Sequence, residues 1–321
     1  MARPEQHNLA GITLTLTSVG LLTAMDSVAK WLVGADYSVM QILALRGWLI
    51  AAVMVAMLFL MPRLGGPAAL KTARPGGHLL RVAIGFFAPY LFFSALKTMP
   101  LADTTVIFFG GATFLMTALS VPLFKERVGI HRWGAVCGGF IGVVIAAQPS
   151  GAVFRLDALY ALGSGAAYAF YVLSTRWLGS SEGTFRQVFY FNLGLAVIGS
   201  TALPFVFVAM PPKDSGILVA MAALAVGGHY CLVRAFNLAP VGLLAPFEYS
   251  AMVWAAMYGF VFWGDIPENP VLLGASIVVA SGLYLAHRET LAARSRKKDT
   301  RETLLVADPV PVVIAVESED A

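Results

Sequence analysis

Ten times between residues 9 and 287 the chain enters an apolar run of roughly twenty residues, and each time it leaves by a short polar connection. The runs cover 9–32, 38–61, 79–98, 101–123, 130–148, 156–177, 186–209, 216–236, 240–263 and 270–287. At ~1.5 Å of rise per residue, a helix of that length crosses a ~30 Å hydrocarbon core and satisfies its backbone without help from water. This predicts an all-α integral membrane protein with ten transmembrane helices. The chain is 58% hydrophobic and 12% charged, half the charge of a soluble domain at about 25%. The first run has only Arg3 before it and no small-x-small site after it, so it is expected to remain as a helix rather than be removed as a signal peptide.

Several chemistries fall away early. The two cysteines, Cys137 and Cys231, lie far apart inside apolar runs, and no Cys-x-x-Cys or His-Glu-x-x-His spacing occurs. Neither a disulfide framework nor a zinc site follows, and no cofactor is expected. The glycines of 130–148 follow no strand, which removes a dinucleotide reading. A net charge of +4 does not indicate nucleic acid, because the basic residues are spread over short connections and one tail. With the N-terminus cytoplasmic, most of the 22 lysines and arginines fall on the inner side: Arg3, Arg63, Lys71, Arg74, Arg81, Lys125, Arg127, Arg132, Arg176, Arg186, Arg234 and the basic tail. Lys30, Lys97, Arg155 and Lys213 remain outside. This bias puts both termini in the cytoplasm, at the inner (plasma) membrane. The tail, 288–321, turns from basic to acidic and is expected to be disordered.

The chain also repeats itself. Lys30-Trp31-Leu32 matches Arg176-Trp177-Leu178, and Gln41 matches Gln187, at an offset of 146. Further on the offset is 140, in Ala95 with Ala235, Pro100 with Pro240, Gly134 with Gly274 and Gly142 with Gly282. Residues 9–148 and 156–287 therefore read as two copies of a five-helix unit. Five is odd, so the second copy enters the membrane from the opposite face. Such inverted repeats hold a solute near the midplane between the halves. Gly134, Gly138 and Gly142, with Gly274 and Gly282, predict that 130–148 and 270–287 pack closely, within one protomer or across a homodimer.

The run 240–263 carries one acid, Glu248, where its repeat-mate is Phe108. A carboxylate at that depth costs about 2.5–3.5 kcal/mol on insertion scales. Pro246 has no N–H for the carbonyl of Gly242, so a helix break is expected beside the acid. Glu248 is read as a binding group for a solute cation or a coupling proton, with pairing to His229 or Arg234 as the plainer alternative. Candidate solute contacts are Glu248, Tyr249, Phe108, Phe109, Tyr168, Tyr171, Tyr90 and His229, the rings offering faces for a flat heterocycle or a cation. His229 alone is equally readable as a packing residue. Asp26 and Lys30, four apart, are expected to pair. Arg46 is expected to pair with Asp26, and its repeat-mate is Asn192. These four read as a gate or a structural ion pair. No metal ligand set is expected.

The run Lys97-Thr98-Met99-Pro100-Leu101-Ala102-Asp103-Thr104-Thr105, the Phe124-Lys125-Glu126-Arg127 turn, and Arg132-Trp133-Gly134 leading to Gly138-Gly139-Phe140-Ile141-Gly142 resemble the EamA-domain branch of the drug/metabolite transporter superfamily. The likeness spans about residues 9 to 287 and implies ten helices, cytoplasmic termini and transport of a small metabolite. Within the branch, Ala24 to Leu32, Leu45-Arg46, Arg234-Ala235-Phe236 and Ala245 to Tyr249 are most similar to S-adenosylmethionine uptake carriers. Those carriers tend to have a basic residue where Glu248 stands. Riboflavin uptake and amino-acid or metabolite export are the alternatives within the branch. The implied partners are a small-molecule solute, a coupling proton or counter-substrate, and the lipid bilayer. A non-transporting scaffold and an integral-membrane enzyme are the readings from other classes; the enzyme would need clustered acids at a membrane face, which the chain lacks.

Overall fold

A computed structural model describes residues 4–61, 65–124, 129–147, 156–179, 181–284 and 287–288. The 125–128 turn, the link at 148–155 and the tail from 289 lie outside the described residues. The helices are α1 (Pro4–Gly34), α2 (Val39–Leu60), α3 (Pro75–Gly85), α4 (Phe87–Ala95), α5 (Leu101–Phe124), α6 (Ile130–Ala147), α7 (Leu156–Gly179), α8 (Thr184–Ser200), α9 (Leu203–Val206), α10 (Pro212–Leu238), α11 (Val241–Glu248), α12 (Ser250–Trp263) and α13 (Asn269–Tyr284). No strand occurs among the described residues. Five stretches are long and apolar enough to cross a bilayer: Asn8–Gly34, Val39–Leu60, Pro75–Ala95, Leu156–Gly179 and Pro212–Leu238. Leu101–Met116, Trp133–Gly142, Ser250–Trp263 and Asn269–Tyr284 are shorter apolar helical stretches.

Three of the apolar runs are broken: 186–209 divides into α8 and α9 at Thr201 and Ala202, and 79–98 and 240–263 each break for a local reason. Pro89 has no N–H to offer the carbonyl of Gly85, and the chain divides into α3 and α4 at Phe86. The run 240–263 divides at Tyr249, directly after Glu248. That is three residues beyond Pro246, later than the proline alone predicts. There the Ser250 hydroxyl donates to the Phe247 carbonyl at 2.8 Å, and the Met252 N–H reaches back only to Tyr249.

Helix α1 lies along α10, α3 and α4 lie along α7, α2 crosses α8, and α5 packs between α6 and α7 while touching α11 and α12. Lipid supplies no hydrophobic drive between helices, so small residues decide how near the backbones come. At the α2–α8 crossing a methyl on Gly47 would stand 2.7 Å from the Ala196 nitrogen and the Asn192 carbonyl oxygen. One on Gly199 would stand 2.8 Å from the Ala44 nitrogen and the Met40 carbonyl oxygen. Helices α6 and α13 meet within the protomer, where a methyl on Gly142 would lie 2.7 Å from the Gly274 carbonyl oxygen and one on Gly138 2.8 Å from Ser281 Oγ. Gly134 faces open space instead.

Serine hydroxyls tie the same bundle across its interior. Ser18 Oγ donates to the Gly228 carbonyl at 2.9 Å, joining α1 to α10. Ser164 Oγ donates to the Ala88 carbonyl at 2.6 Å, joining α7 to α4. Gly47→Ala forces a side-chain atom against backbone that cannot yield and should cost about 1–3 kcal/mol. Gly134→Ala should stay within about 0.5 kcal/mol. Thermal melts of the two variants in detergent check the difference.

Candidate functional site

Within the bundle a cavity of about 90 Å³ is lined by residues of α1, α2, α4, α5, α7, α8 and α10. Its wall is mostly aromatic: Phe92 and Phe93 from α4, Phe108 and Phe109 from α5, Tyr168 and Tyr171 from α7, and Phe191 from α8. The rings form a continuous chain. Phe92 meets Phe108 edge-on at 5.1 Å between centroids, Phe108 meets Tyr168 at 5.1 Å, Tyr168 stacks near Tyr171 at 6.1 Å, and Tyr171 meets Phe191 at 4.4 Å. His229 closes the row, edge-on to Phe191 at 6.0 Å. Asp26 and Arg46 supply the charged part of the lining.

Of the residues proposed from sequence, Phe108, Phe109, Tyr168, Tyr171, His229, Asp26 and Arg46 share this cavity. Glu248 stands behind its wall. Its side chain is fully buried, Oε1 accepts the Tyr168 hydroxyl at 2.5 Å, and Oε2 has no hydrogen-bond partner. Neither His229 nor Arg234 pairs with it; the tyrosine from α7 does. Tyr249 points elsewhere, into a separate apolar cluster with Met99, Ile107 and Val278. Tyr90 stacks on Phe86 at 5.6 Å, outside the lining. Asn192 is buried in α8, its Nδ2 donating to the Val188 carbonyl at 2.9 Å.

Two expected ion pairs are replaced. Lys30 does not bond Asp26; its Nζ lies 2.6 Å from Asp265 Oδ2 and 4.9 Å from the centre of the Trp263 ring. The four-residue spacing was favourable, but Asp265 at the end of α12 comes nearer. Arg46 makes no direct ion pair with Asp26 either. Its Nη1 donates to Met25 Sδ at 3.2 Å and its guanidinium lies 5.8 Å from the Phe93 ring, while Nε and Nη2 have no partner.

Arg81, counted above with the loop cations, is in fact buried within α3. Nη1 donates to the Gln187 carbonyl at 2.7 Å and Nη2 to Thr175 Oγ1 at 2.8 Å. The Tyr171 ring covers the guanidinium at 4.4 Å. The position of Arg81 inside the apolar run 79–98 was the signal for this. Phe92 and Phe191 carried no signal at all, being ordinary apolar residues within apolar runs.

The bundle is tied by polar connections at both ends. At one end Glu182, in the turn between α7 and α8, is buried and gathers the 72–74 segment before α3. It accepts from Thr72 Oγ1 and the Ala73 N–H, both at 2.9 Å, from the Arg74 N–H at 3.2 Å, and from Arg186 Nη1 at 2.7 Å. Arg74 also covers Trp177 at 5.5 Å. At the other end Tyr37, between α1 and α2, donates to Asp214 Oδ2 at 2.7 Å. Gln41 pairs with both backbone groups of Val208, at 2.6 and 2.8 Å. There Lys213 covers Trp31 at 5.5 Å.

No family model matches the chain. The chain is 24% identical over 293 residues to the S-adenosylmethionine uptake transporter of Rickettsia felis, covering 91% of this chain and 97% of that one. It is 27% identical over 309 residues to the riboflavin transporter of Vibrio cholerae, covering 91% and 98%. An uncharacterized transporter of Helicobacter pylori J99 is 26% identical over 231 residues, 68% of this chain. One crystal structure superposes with a TM-score of 0.65 at 20% identity over 88% of this chain and 98% of its own, a likeness of fold. The similar proteins with an assigned activity are transporters, not enzymes.

Burial alone would raise the Glu182 carboxyl, but donors from Arg186, Thr72, the Ala73 N–H and His78 outweigh it and hold the group at about 2, below its ordinary 4.5. A depressed carboxyl stabilises the folded form in full above its unfolded value, and that contribution fades as pH falls toward about 2. Glu182→Gln should therefore lower the melting midpoint by a few degrees at pH 7. The gap from wild type should close progressively between about pH 4.5 and pH 2. Melts of both proteins across that range check it; a gap independent of pH would show that the charge carries none of the tie.

Proposed function

We propose that this chain is a secondary carrier that moves a small organic metabolite across the inner membrane by alternating access, with S-adenosylmethionine-type uptake favoured. Ten transmembrane helices form two inverted halves, residues 9–148 and 156–287, both termini are cytoplasmic, and the solute binds in the cavity between the halves. The observation that carries this reading is a pair of hydrogen bonds. Ser18 to Gly228 and Ser164 to Ala88 are the same bond in two copies, its donor displaced by 146 residues and its acceptor by 140. These are the offsets found in the sequence. The helix pairings support the same exchange: α1 on α10 answers α7 on α3 and α4, α5 on α7 answers α11 and α12 on α1, and α2 on α8 answers itself. Trp31 with Lys213 and Trp177 with Arg74 repeat the pattern at the two ends.

A cavity of about 90 Å³ is smaller than the roughly 300–1,000 Å³ of sites that hold drug-sized ligands. Loading a nucleoside-sized solute requires the halves to part at one end, while the tie at the other end holds. The breaks at Phe86 and Tyr249 are where the helices could bend. Riboflavin uptake is the second reading, favoured by the similarity to the Vibrio cholerae transporter over 98% of its length and by the flat aromatic wall.

Coupling is assigned to Glu248. A buried carboxylate with one hydrogen bond and no cation nearby is costly unless a proton or a solute cation neutralises it. Tyr168 links that event to the cavity wall, because its hydroxyl bonds Glu248 while its ring lines the cavity. Purified protein in proteoliposomes should take up labelled S-adenosylmethionine in a pH-dependent way. Glu248→Gln should flatten the pH profile, and Tyr168→Phe should lower the rate while leaving some pH dependence. A full pH profile in Glu248→Gln removes the coupling role. Absence of flux for S-adenosylmethionine, riboflavin and amino acids alike removes the carrier reading.

A further inference from the structure

Among the described residues two arginines, Arg46 and Arg81, are equally withdrawn from solvent, each 1% exposed, yet they are not equally satisfied. Arg81 has oxygen partners on both terminal nitrogens and a ring over its face. Its Nε alone has no partner, and the group serves as a structural clamp. Arg46 has one weak thioether contact at Nη1, and its Nε and Nη2 have nothing. Among the described residues no carboxylate forms an ion pair with it. Leaving charged donors buried and unmade is expensive, more so than for neutral groups.

The identity of the two unpartnered atoms matters. Nε–H and one N–H of Nη2 leave the same edge of the guanidinium plane in parallel. That edge is the fork that takes both oxygens of one carboxylate. Nη1, on the other edge, is the atom the protein has already used. Arg46 lines the central cavity, and Asp26 lines it too, so the cavity offers a fixed cation and a fixed anion without letting them pair.

Resting on the carrier reading, we propose that the transported solute bears a carboxylate, gripped side-on by the Nε–Nη2 edge of Arg46. Its cationic group faces Asp26 and its remaining bulk lies against the aromatic wall. The substrate class is then an amino-acid-like zwitterion with an apolar or heterocyclic body. S-adenosylmethionine has that carboxylate; riboflavin has none, and would leave the fork of Arg46 unmade.

The test compares ligands with and without this group, the amino acid and amide pairs differing at the carboxylate alone. Thermal shift and equilibrium binding on the full-length protein in detergent would use S-adenosylmethionine, 5′-methylthioadenosine (the same nucleoside and sulfur without the amino-acid end), riboflavin, and amino acids against their amides. The expected result is at least a tenfold preference for a carboxylate-bearing member over its carboxylate-free counterpart. Arg46→Gln should abolish the preference, and Arg46→Lys, which keeps the charge without the fork, should retain part of it. A purely structural Arg46 would lower the melting midpoint of the ligand-free variant but leave the preference intact, and that outcome overturns the proposal. Should Arg46→Gln fail to fold, the matched pairs on the unaltered protein still decide. Equal binding of the carboxylate-free partner, or binding and flux of riboflavin alone, overturns the proposal while the carrier reading stands. No binding and no flux for any member of the panel overturns both.

Discussion

A charge inside a lipid-spanning bundle has no water to fall back on, and the arrangement of this protein follows from how each one is met. Lys30 and Asp265 meet directly at the end of α1, with the Trp263 ring beside them. Arg81 is met by a carbonyl, a hydroxyl and a ring. Glu182 is met by a ring of donors and so becomes the knot that holds one end of the bundle. Among the described residues the charges at the centre are left shortest, although Arg81 also has an unpartnered Nε. Arg46 keeps two donors idle and Glu248 keeps one oxygen idle. At Arg46, which lines the cavity, and at Glu248, behind its wall, a solute or a proton can complete what the protein leaves unmade.

The aromatic wall and the idle charges depend on each other. An apolar cavity alone would hold a flat molecule without fixing its direction. Charges alone, at this depth, would draw water or collapse onto one another. The rings of Phe93, Phe108, Tyr168 and Tyr171 line the same cavity as Asp26 and Arg46, and the Phe93 ring lies 5.8 Å from the guanidinium. Interactions between separated charges in such a place remain strong because little solvent screens them. Packing therefore bears on the electrostatics here, by surrounding a cation and an anion that form no direct ion pair with weakly polar rings.

The helical runs were plain in the sequence because continuous apolarity over twenty residues is a strong and local signal. The contents of the cavity were legible in part: rings and charges inside apolar runs are conspicuous, and Phe108, Tyr168, Asp26 and Arg46 do converge. Their partners were not legible, because partnership in a bundle is decided across the fold. The Lys30–Asp265 pair joins residues 235 apart, and Tyr168 reaches Glu248 from 80 residues away. Spacing on one helix favoured Asp26 for Lys30, and the tertiary contact won. Arg81 was misread for a different reason. A basic residue near the end of an apolar run resembles a loop cation until the neighbouring rings that enclose it are seen. Glu182 is one polar residue in a short turn, and nothing local announces that Thr72, Ala73 and Arg74 will fold onto it.

The proposed duplication sharpens the point about the centre. The repeat is best kept in small and apolar residues and in the serine bonds, which set how helices approach. It is broken at the groups that face or flank the cavity: Arg46 answers to Asn192, and Glu248 answers to Phe108. A cavity between two identical halves would offer the same group at each end and hold a lopsided solute equally well in either direction. A zwitterion is lopsided, with an anion at one end and a cation at the other. Giving one half the guanidinium of Arg46 and the carboxylate of Asp26, with Asn192 in the place of Arg46 on the other half, lets the frame remain two-fold for movement while the binding chemistry is one-way. On this argument the departures from the repeat are the part of the sequence that specifies what is carried, and the agreements are the part that specifies how.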